Sequence, residues 1–549
     1  MVTVQVAIEV RAIGQRARSG DVTLRDISLT VEPGELVAII GGSGSGKTTL
    51  LDAMSGLRPP SSGTVSRPSG PIGYVANGET LPDVLPLGAA LGYRAALRGV
   101  PASDGAVADA LRAAGLAGVA RVAGVGGLDA GQRRRAAIAA ELLARPALLF
   151  LEEPADGLDP AQSTEVMRLL RRLCDEGITV VLTTQNPLDA ARCDKVAVLA
   201  TGGHLAFFGT AEAAQGYFGA DSLDEIYERL AGLGDPATAW SRRFFNFSLT
   251  SPGFTPSLTG ASAAGLARLM PDSAGPHSAG RPLAGGVGGG GGVGGGLTDT
   301  GPLVASPGDG TSDSVVARMA RVARPVRVAR VARVARVARV VRQWAVLVRR
   351  NVDVLARSRP ALVALAAGPV AVLLAFLVLF GLGAFDQARP GPALWVVGGG
   401  LLIGLAYGLP QVIHERGALQ AERFWGLSPA AYVLAKAAVL LPVLAAADAV
   451  MLALLSLLGR LPGYGSALVT ALLSSAAAFA LGLLLSAAVP ASPRALYPAT
   501  SGLPPVLLAA AILALLDRPA WGDWLVLAVI SLALLTATAV LLSRRFPSG

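Results

Sequence analysis

Apolar positions follow two different patterns along the chain. Between residues 4 and 31, apolar and polar side chains alternate in short runs, whereas residues 36–40 and 148–151 are continuously apolar. Alternation predicts antiparallel strands with one buried face, and a short apolar run predicts a strand buried on both faces. Late in the chain the apolar stretches become long enough to cross about 30 Å of hydrocarbon. We therefore predict an α/β domain in residues 1–246 and an all-α membrane domain in residues 361–549.

The membrane domain is predicted to contain six spanning helices, preceded by an amphipathic connecting helix at residues 344–360. With the amino terminus in the cytoplasm, basic residues such as Arg416, Arg423 and Lys436 concentrate on the inner side, as the positive-inside rule requires. Both termini are then cytoplasmic. Asp448, inside the third predicted span, is either a cargo contact or a polar packing residue. The predicted spans lie near 361–383, 393–413, 433–458, 466–489, 500–517 and 524–542.

Two segments between these domains have biased compositions. Residues 247–315 are rich in glycine, serine and proline and predict a flexible tether with a mean reach on the order of 45 Å. In residues 316–343 arginine recurs at every third position, which on a helix carries the charges around the rod. Pro325 is expected to break that helix. We favour contact with anionic lipid headgroups over a nucleic-acid-binding arm or a repeat without a specific role.

Composition agrees with a cytoplasmic domain joined to a membrane domain. Of 549 residues 52% are hydrophobic and 15% are charged, and the net charge of +9 owes much to the arginine repeat. The two cysteines, Cys174 and Cys193, imply no disulfide framework. Residues 1–5 lead directly into strand-like alternation without a cleavable signal, so we expect the first domain to stay in the cytoplasm. The bias toward Ala, Gly, Arg and Val is typical of a GC-rich bacterial genome and suggests a bacterial plasma membrane.

A glycine-rich segment after the first apolar strand carries the clearest chemistry. It fits G-x-x-x-x-G-K-[ST] and stands between a predicted strand and a predicted helix, which is the context the motif requires. Such a loop turns backbone N–H groups toward phosphate oxygens, with Lys47 reaching the β/γ-phosphates and Thr48 holding Mg²⁺. We predict a site for ATP and Mg²⁺. The predicted nucleotide-binding residues of this loop are Gly41, Gly42, Ser43, Gly44, Ser45, Gly46, Lys47, Thr48 and Thr49.

The second apolar strand ends in two acids, Glu152 and Glu153. P-loop hydrolases place one carboxylate beside Mg²⁺ and a second where it activates water. We assign Glu152 to the metal and Glu153 to the water. The first domain is therefore predicted to be an α/β P-loop NTPase.

The order of these and further motifs resembles the ATP-binding cassette of ABC transporters, over residues 20 to about 220. The turn at residues 207–209 resembles that of the G-type, White-like subfamily, and residues 414–428 resemble its cytoplasmic coupling helix. Residues 72–77 resemble the Q-loop and residues 157–159 the D-loop. The segment that resembles the signature motif consists of Leu128, Asp129, Ala130, Gly131 and Gln132.

The resemblance implies roles for two further residues near the γ-phosphate. Asn77 would bind nucleotide and join Thr48 and Glu152 around Mg²⁺, and Gln185 would be catalytic beside Glu153. The family pattern has Gln at position 77, Asp at 152 and His at 185. Gln185 can form hydrogen bonds but cannot exchange a proton as His can.

Asp129 and Ala130 stand where the family has Ser-Gly, and Asp129 has two possible roles. In the resembled family this serine closes over the γ-phosphate of the opposite subunit, where a carboxylate would repel phosphate by roughly 4 kcal/mol. Such a penalty on the closed state alone would slow turnover on the order of a thousandfold. The other role is an N-cap of the following helix, and the two are compatible.

The resemblance implies a half-transporter that pairs with a second half-transporter, as a homodimer or a heterodimer. We expect coupling of ATP binding or hydrolysis to export of a hydrophobic cargo, with membrane lipids and no nucleic acid as further partners. Weak or partner-dependent hydrolysis is expected from the altered motifs. The alternatives are a hydrolysis-deficient regulatory membrane protein and the degenerate half of a heterodimer.

Overall fold

The computed structural model describes most of the nucleotide domain and part of the membrane domain. The predicted tether, up to residue 310, and the fifth predicted span lie outside the described residues, as does most of the first span. Described are residues 6–16, 20–78, 81–100, 103–119, 124–232, 241–244, 311–359, 392–457, 464–488 and 521–546, with isolated positions between 362 and 378.

Nine strands of the described chain form one sheet in the order β4-β1-β2-β9-β8-β3-β7-β6-β5. Strands β1, β2 and β4 pair antiparallel, as the alternating pattern predicts, and β5, β6, β7, β3 and β8 pair parallel. The strands are β1 Ile8–Arg16, β2 Val22–Val31, β3 Leu36–Gly41, β4 Ser62–Ser66, β5 Ile72–Val75, β6 Leu148–Glu152, β7 Thr179–Thr183, β8 Lys195–Ala200 and β9 His204–Gly209.

Both faces of the sheet are buried at its central strand β3, which is apolar at every position. Leu36, Ala38 and Ile40 of β3 belong to one core cluster, and Val37 and Ile39 belong to the other. The covering helices are α1 Lys47–Ser55, α2 Leu87–Arg98, α3 Asp104–Ala113, α4 Ala130–Leu142, α5 Pro160–Asp175, α6 Pro187–Ala190, α7 Ala211–Phe218 and α8 Leu223–Gly232. The P-loop NTPase fold follows from this topology.

The second part of the described chain is helical. Its helices are α9 Thr311–Arg357, α10 Pro392–Gly408, α11 Pro410–Ile413, α12 Arg416–Phe424, α13 Pro429–Leu457, α14 Tyr464–Ala488 and α15 Trp521–Arg545.

Three helices of the described chain are long and apolar enough to span a membrane: Pro429–Leu454, Gly465–Ala488 and Trp524–Arg545. They match the third, fourth and sixth predicted spans. Val397–Ile413 and Arg416–Phe424 form a pair bent by 57°, which adds a fourth span if the pair is counted as one. The count of six spans stays a prediction.

The expectation that Pro325 ends the helix of the arginine repeat is wrong. Helix α9 runs from Thr311 to Arg357 through Pro325, so the repeat and the connecting helix are one element. Proline removes one backbone hydrogen bond and crowds the preceding turn, which a long helix tolerates when the residues on both sides favour helix. Pro442 lies inside α13 in the same way.

Close packing joins α10 to α14. A Cβ on Gly404 would lie 2.2 Å from the Ser475 carbonyl oxygen, and one on Gly408 would lie 2.4 Å from that of Phe479. Glycine therefore lets the two helices approach, as is common in membrane bundles. Asp448 of α13 is fully buried and accepts a hydrogen bond from Ser475 Oγ at 2.7 Å. This contact favours the packing role for Asp448.

Candidate nucleotide-binding site

The glycine-rich loop connects β3 to α1 through backbone conformations that favour glycine. Gly41 has φ 149° and Gly46 has φ 99°. A Cβ on Gly41 would lie 2.3 Å from the Leu199 carbonyl oxygen, and one on Gly46 would lie 2.8 Å from that of Thr23. The loop is thereby held tightly against the sheet, with the N-terminus of α1 behind it.

Lys47 and Ser45 present polar groups that fit an anionic ligand. Lys47 Nζ donates to the carbonyl oxygens of Gly41 at 2.8 Å and Gly42 at 3.1 Å. Burial lowers the pKa of Lys47, while the charge of Glu153 raises it. Ser45 Oγ is buried and has no hydrogen-bond partner. Because a buried hydroxyl normally has a partner, this atom fits a phosphate oxygen.

The two predicted metal ligands on the loop helix and on β6 lie together. Thr48 Oγ1 donates to Glu152 Oε1 at 3.0 Å, and the Asn77 backbone N–H donates to Glu152 Oε2 at 3.3 Å. A hydroxyl beside a carboxylate is the hard oxygen set that Mg²⁺ prefers. Glu152 thus lies beside Thr48, as its predicted role at the metal requires.

The two predicted catalytic residues are also in contact. Glu153 has φ 44°, and its N–H donates to Thr183 Oγ1 at 3.0 Å. Gln185 Nε2 donates to Glu153 Oε1 at 2.8 Å. Positive φ is unusual for a residue with a side chain, so tertiary contacts hold Glu153 in this orientation. Gln185 steadies the carboxylate through its amide.

The signature residues make their hydrogen bonds at the start of α4. Asp129 Oδ1 accepts from the Gln132 N–H at 2.7 Å, and Gln132 Oε1 accepts from the Asp129 N–H at 3.1 Å. This reciprocal pair is a capping box. The predicted N-cap role of Asp129 is confirmed. Leu128 is buried and Ala130 and Gly131 open the helix.

Arg134, which belongs to none of the predicted motifs, lies beside residues 76 and 77. Its Nη2 is 3.4 Å from Asn77 Oδ1 and its Nη1 is 3.4 Å from the Ala76 carbonyl oxygen. The signal in the sequence is the run of three arginines, 133–135, that follows Gln132.

Tyr74 connects the helix of the glycine-rich loop to α12. Its hydroxyl donates to Asp52 Oδ1 of α1 at 3.1 Å, and its ring centroid lies 5.2 Å from that of Phe424. Its N–H donates to Glu141 Oε2 at 3.2 Å. The buried side chain of Tyr74 therefore contacts both α1 of the nucleotide domain and α12 of the helical domain.

Asp52 is predicted to make stability depend on pH. Burial raises its pKa to about 6, against the lowering effects of Arg58 and of the Tyr74 hydrogen bond. Because the folded-state pKa lies above the unfolded value, protonation favours folding, and stability falls as the pH rises through this range. When the pH is lowered from 7 to 5, the free energy of unfolding of the parent should rise by about 1 kcal/mol relative to that of Asp52→Asn. Thermal unfolding of both full-length proteins in detergent measures the difference, and equal pH slopes would contradict it.

A set of buried charges, which we call the buried charge network, continues from Glu141 toward the membrane helices. Glu141 of α4 pairs with Arg94 at 3.6 Å and Arg98 at 3.2 Å. Burial raises the pKa of Glu141 to about 6, although Arg98 and Arg94 oppose this shift. Both guanidinium groups lie over the Trp425 ring, at 4.6 Å and 4.2 Å from its centroid.

The buried charge network then enters the helical domain. Arg94 lies 4.0 Å from Glu422 of α12, and Glu422 also pairs with Arg350 of α9. Arg350 lies 3.7 Å from Glu415, which pairs with Lys436 of α13 at 2.6 Å. Charged residues in α2, α4, α9, α12 and α13 thus form a continuous series of contacts. Its members are Arg94, Arg98, Glu141, Arg350, Glu415, Glu422 and Lys436.

Family models match both parts of the chain. The ABC transporter model matches residues 24–156, and the ABC-2 type transporter model matches residues 342–540. The first covers the glycine-rich loop, the signature residues and the acids that end β6. The second covers the helical domain from the end of the arginine repeat.

Three relatives show the extent of the similarity. The ABC transporter ATP-binding/permease protein Rv1747 of Mycobacterium tuberculosis is 37% identical over 243 residues, which are 40% of this chain and 27% of that protein. ATP-binding cassette sub-family G member 5 of Homo sapiens is 38% identical over 210 residues, 34% of this chain and 32% of that protein. The zinc import ATP-binding protein ZnuC of Cereibacter sphaeroides is 36% identical over 194 residues, 35% of this chain and 78% of that protein.

The match spans about a third or less of the mycobacterial and human proteins, but most of the zinc import protein. The ABC-2 type transporter model matches the helices that follow the nucleotide domain. The chain belongs to the ABC transporters, with the cassette-first domain order of their G-type half-transporters.

Proposed function

We propose that this chain binds ATP with Mg²⁺ and couples hydrolysis to export of a hydrophobic molecule, as one half of a dimeric transporter. Its ABC domain implies nucleotide binding. The observation that carries the proposal is the position of Glu153, held by Thr183 and Gln185 next to the Thr48–Glu152 pair. A carboxylate beside a metal-binding oxygen pair is the arrangement that hydrolysis at a P-loop requires.

Each residue of the site has a role in this chemistry. Lys47 and the loop N–H groups bind the phosphates, and Ser45 Oγ supplies a further hydrogen bond. Thr48 and Glu152 would hold Mg²⁺, which would supply positive charge beside the phosphate oxygens. Glu153 accepts a proton from the attacking water, and Gln185 orients the Glu153 carboxylate.

Movement in the cassette would reach the membrane helices through α12. Phe424 packs on Tyr74, and Glu422 joins the buried charge network. We therefore assign α12 and the residues around it the role of a coupling helix. Since the loop site of one cassette would face the signature segment of another, a second half-transporter completes the site. In this arrangement both termini lie on the cytoplasmic side of a plasma membrane, and the arginine repeat contacts anionic lipid headgroups.

A second candidate function follows from the Asp129 carboxylate. It is exposed at the N-terminus of α4, in the signature segment that would meet the partner's nucleotide. A carboxylate there opposes closure around phosphate. This observation favours a hydrolysis-deficient regulatory membrane protein, or the degenerate half of a heterodimer.

ATP turnover by the full-length protein in lipid vesicles tests the proposed function. The parent is expected to hydrolyse ATP, and Glu153→Gln should lower turnover at least about 100-fold because it removes the general base. Binding of a fluorescent ATP analogue should persist in Glu153→Gln, since the phosphate-binding groups are unchanged. Binding without turnover in the parent would favour the second candidate, and absence of binding would overturn both.

A further inference from the structure

Arg134 determines which atom of the Asn77 side chain is available to ligands. Its two terminal nitrogens lie 3.4 Å from Asn77 Oδ1 and from the Ala76 carbonyl oxygen. A guanidinium group can only donate hydrogen bonds, so the atom of Asn77 that faces it must be the amide oxygen. The assignment of oxygen and nitrogen in this amide thus rests on the chemistry of its neighbour.

The position of Arg134 is itself fixed by its surroundings. The guanidinium is half-buried, and burial lowers its pKa, whereas the charges of Asp156, Glu152 and Glu153 raise it. The three carboxylates favour the charged guanidinium, and its hydrogen bond to the Ala76 carbonyl oxygen directs it toward the Asn77 segment. The Asn77 backbone is fixed as well, because its N–H donates to Glu152 Oε2 at 3.3 Å.

We propose that Asn77 is a hydrogen-bond donor to a phosphate oxygen rather than a magnesium ligand, and that Arg134 is the positioning residue that makes it so. With the amide oxygen on Arg134, the group left to face the nucleotide is the NH₂. An amide nitrogen cannot bind Mg²⁺, but it can donate to phosphate. Thr48 and Glu152 are then the protein ligands of Mg²⁺, and Asn77 is not one of them. This inference rests on the proposed binding of ATP and Mg²⁺.

The magnesium dependence of nucleotide binding separates the two roles of Asn77. We would titrate Mg²⁺ against binding of a fluorescent ATP analogue by full-length parent and Asn77→Asp. A donor role predicts weaker nucleotide binding in Asn77→Asp and a half-saturating Mg²⁺ concentration within about twofold of the parent value. A ligand role predicts that the added carboxylate lowers this concentration about tenfold, because affinity rises with the charge of the ligands. That second result would overturn the proposal.

Glu152→Gln is the control for metal binding in this titration. It should raise the half-saturating Mg²⁺ concentration about tenfold, because it removes a charged ligand. If the parent fails to bind the analogue at any Mg²⁺ concentration, the proposed function itself is wrong. If the parent binds and Asn77→Asp tightens Mg²⁺ binding, only the inference about Asn77 is wrong.

A double-mutant comparison tests the positioning role of Arg134. Arg134→Ala and Asn77→Ala should each weaken binding of the analogue by a similar factor, and the double variant should be no weaker than either one. Arg133→Ala, which removes the same charge one residue earlier, should leave binding unchanged. Independent effects that multiply in the double variant would overturn the assignment of Arg134 as the residue that positions Asn77.

Discussion

Glu422→Ala is expected to destabilise the full-length protein by about 3–5 kcal/mol. The side chains of Glu422, Arg350 and Arg94 are 3%, 5% and 3% exposed. Arg94 keeps Glu141 and Arg350 keeps Glu415 as a partner, so removing Glu422 leaves the four cations of the buried charge network with only two carboxylates. An uncompensated buried charge costs much more than the loss of an exposed pair. Thermal unfolding in detergent measures the change.

A matched control and a double variant make this expectation specific. Glu165 pairs with Arg135 at 3.1 Å but is 54% exposed, so Glu165→Ala should cost less than about 1 kcal/mol. Replacing Arg350 by Met together with Glu422 by Leu removes one cation along with the acid, restores the charge balance of the network and should recover most of the stability. Equal losses in Glu422→Ala and Glu165→Ala would show that the buried charge network contributes little.

The same variant bears on coupling between the two domains. Glu422 lies on α12 and contacts residues of α2 and α9, so it joins the cassette to the helical domain through side chains that cannot separate without leaving charges unpaired. We expect Glu422→Ala to alter the response of ATP turnover to lipid composition. ATP turnover is measured for the parent and for Glu422→Ala in vesicles of different lipid composition. If turnover does not depend on lipid composition in either protein, this contact has no role in coupling.

Most of the cassette could be predicted from local patterns, because the burial of a strand and the backbone conformation of a loop depend mainly on the residues within that segment. Strand β3 is apolar at every position since the sheet buries both of its faces, and Gly41 and Gly46 of the next loop are needed where a Cβ would meet backbone. The pairing of Thr48 with Glu152 and of Gln185 with Glu153 follows from strand ends that meet at one edge of the sheet.

The contacts between distant segments could not be predicted in this way. Glu141 stands among apolar neighbours in the sequence and Glu422 stands next to Arg423, and nothing in either segment identifies Arg94 as a shared partner. Arg134 could not be identified from the sequence, because a basic residue on a helix is usually solvated. The local preference of Pro325 predicts a helix end, whereas a helix of 47 residues tolerates it.

Asp129→Ser is expected to raise ATP turnover, with an upper limit on the order of a thousandfold. In the proposed dimer the signature segment closes over the partner's nucleotide, and a carboxylate there repels the γ-phosphate by roughly 4 kcal/mol. Serine removes the charge and still caps a helix well. Stability should therefore change little while turnover rises, which separates the effect on closure from the effect on folding.

Two further substitutions at this position distinguish the charge from the cap. Asp129→Asn keeps a capping oxygen without the charge and should raise turnover as serine does. Asp129→Ala also removes the charge but loses the hydrogen bond from the Gln132 N–H, so it should cost about 1 kcal/mol of stability. Turnover and thermal unfolding of the three variants beside the parent provide the comparison. If none of the three hydrolyses ATP faster than the parent, the carboxylate acts as a helix cap alone, and slow turnover must come from Asn77, Gln185 or a missing partner subunit.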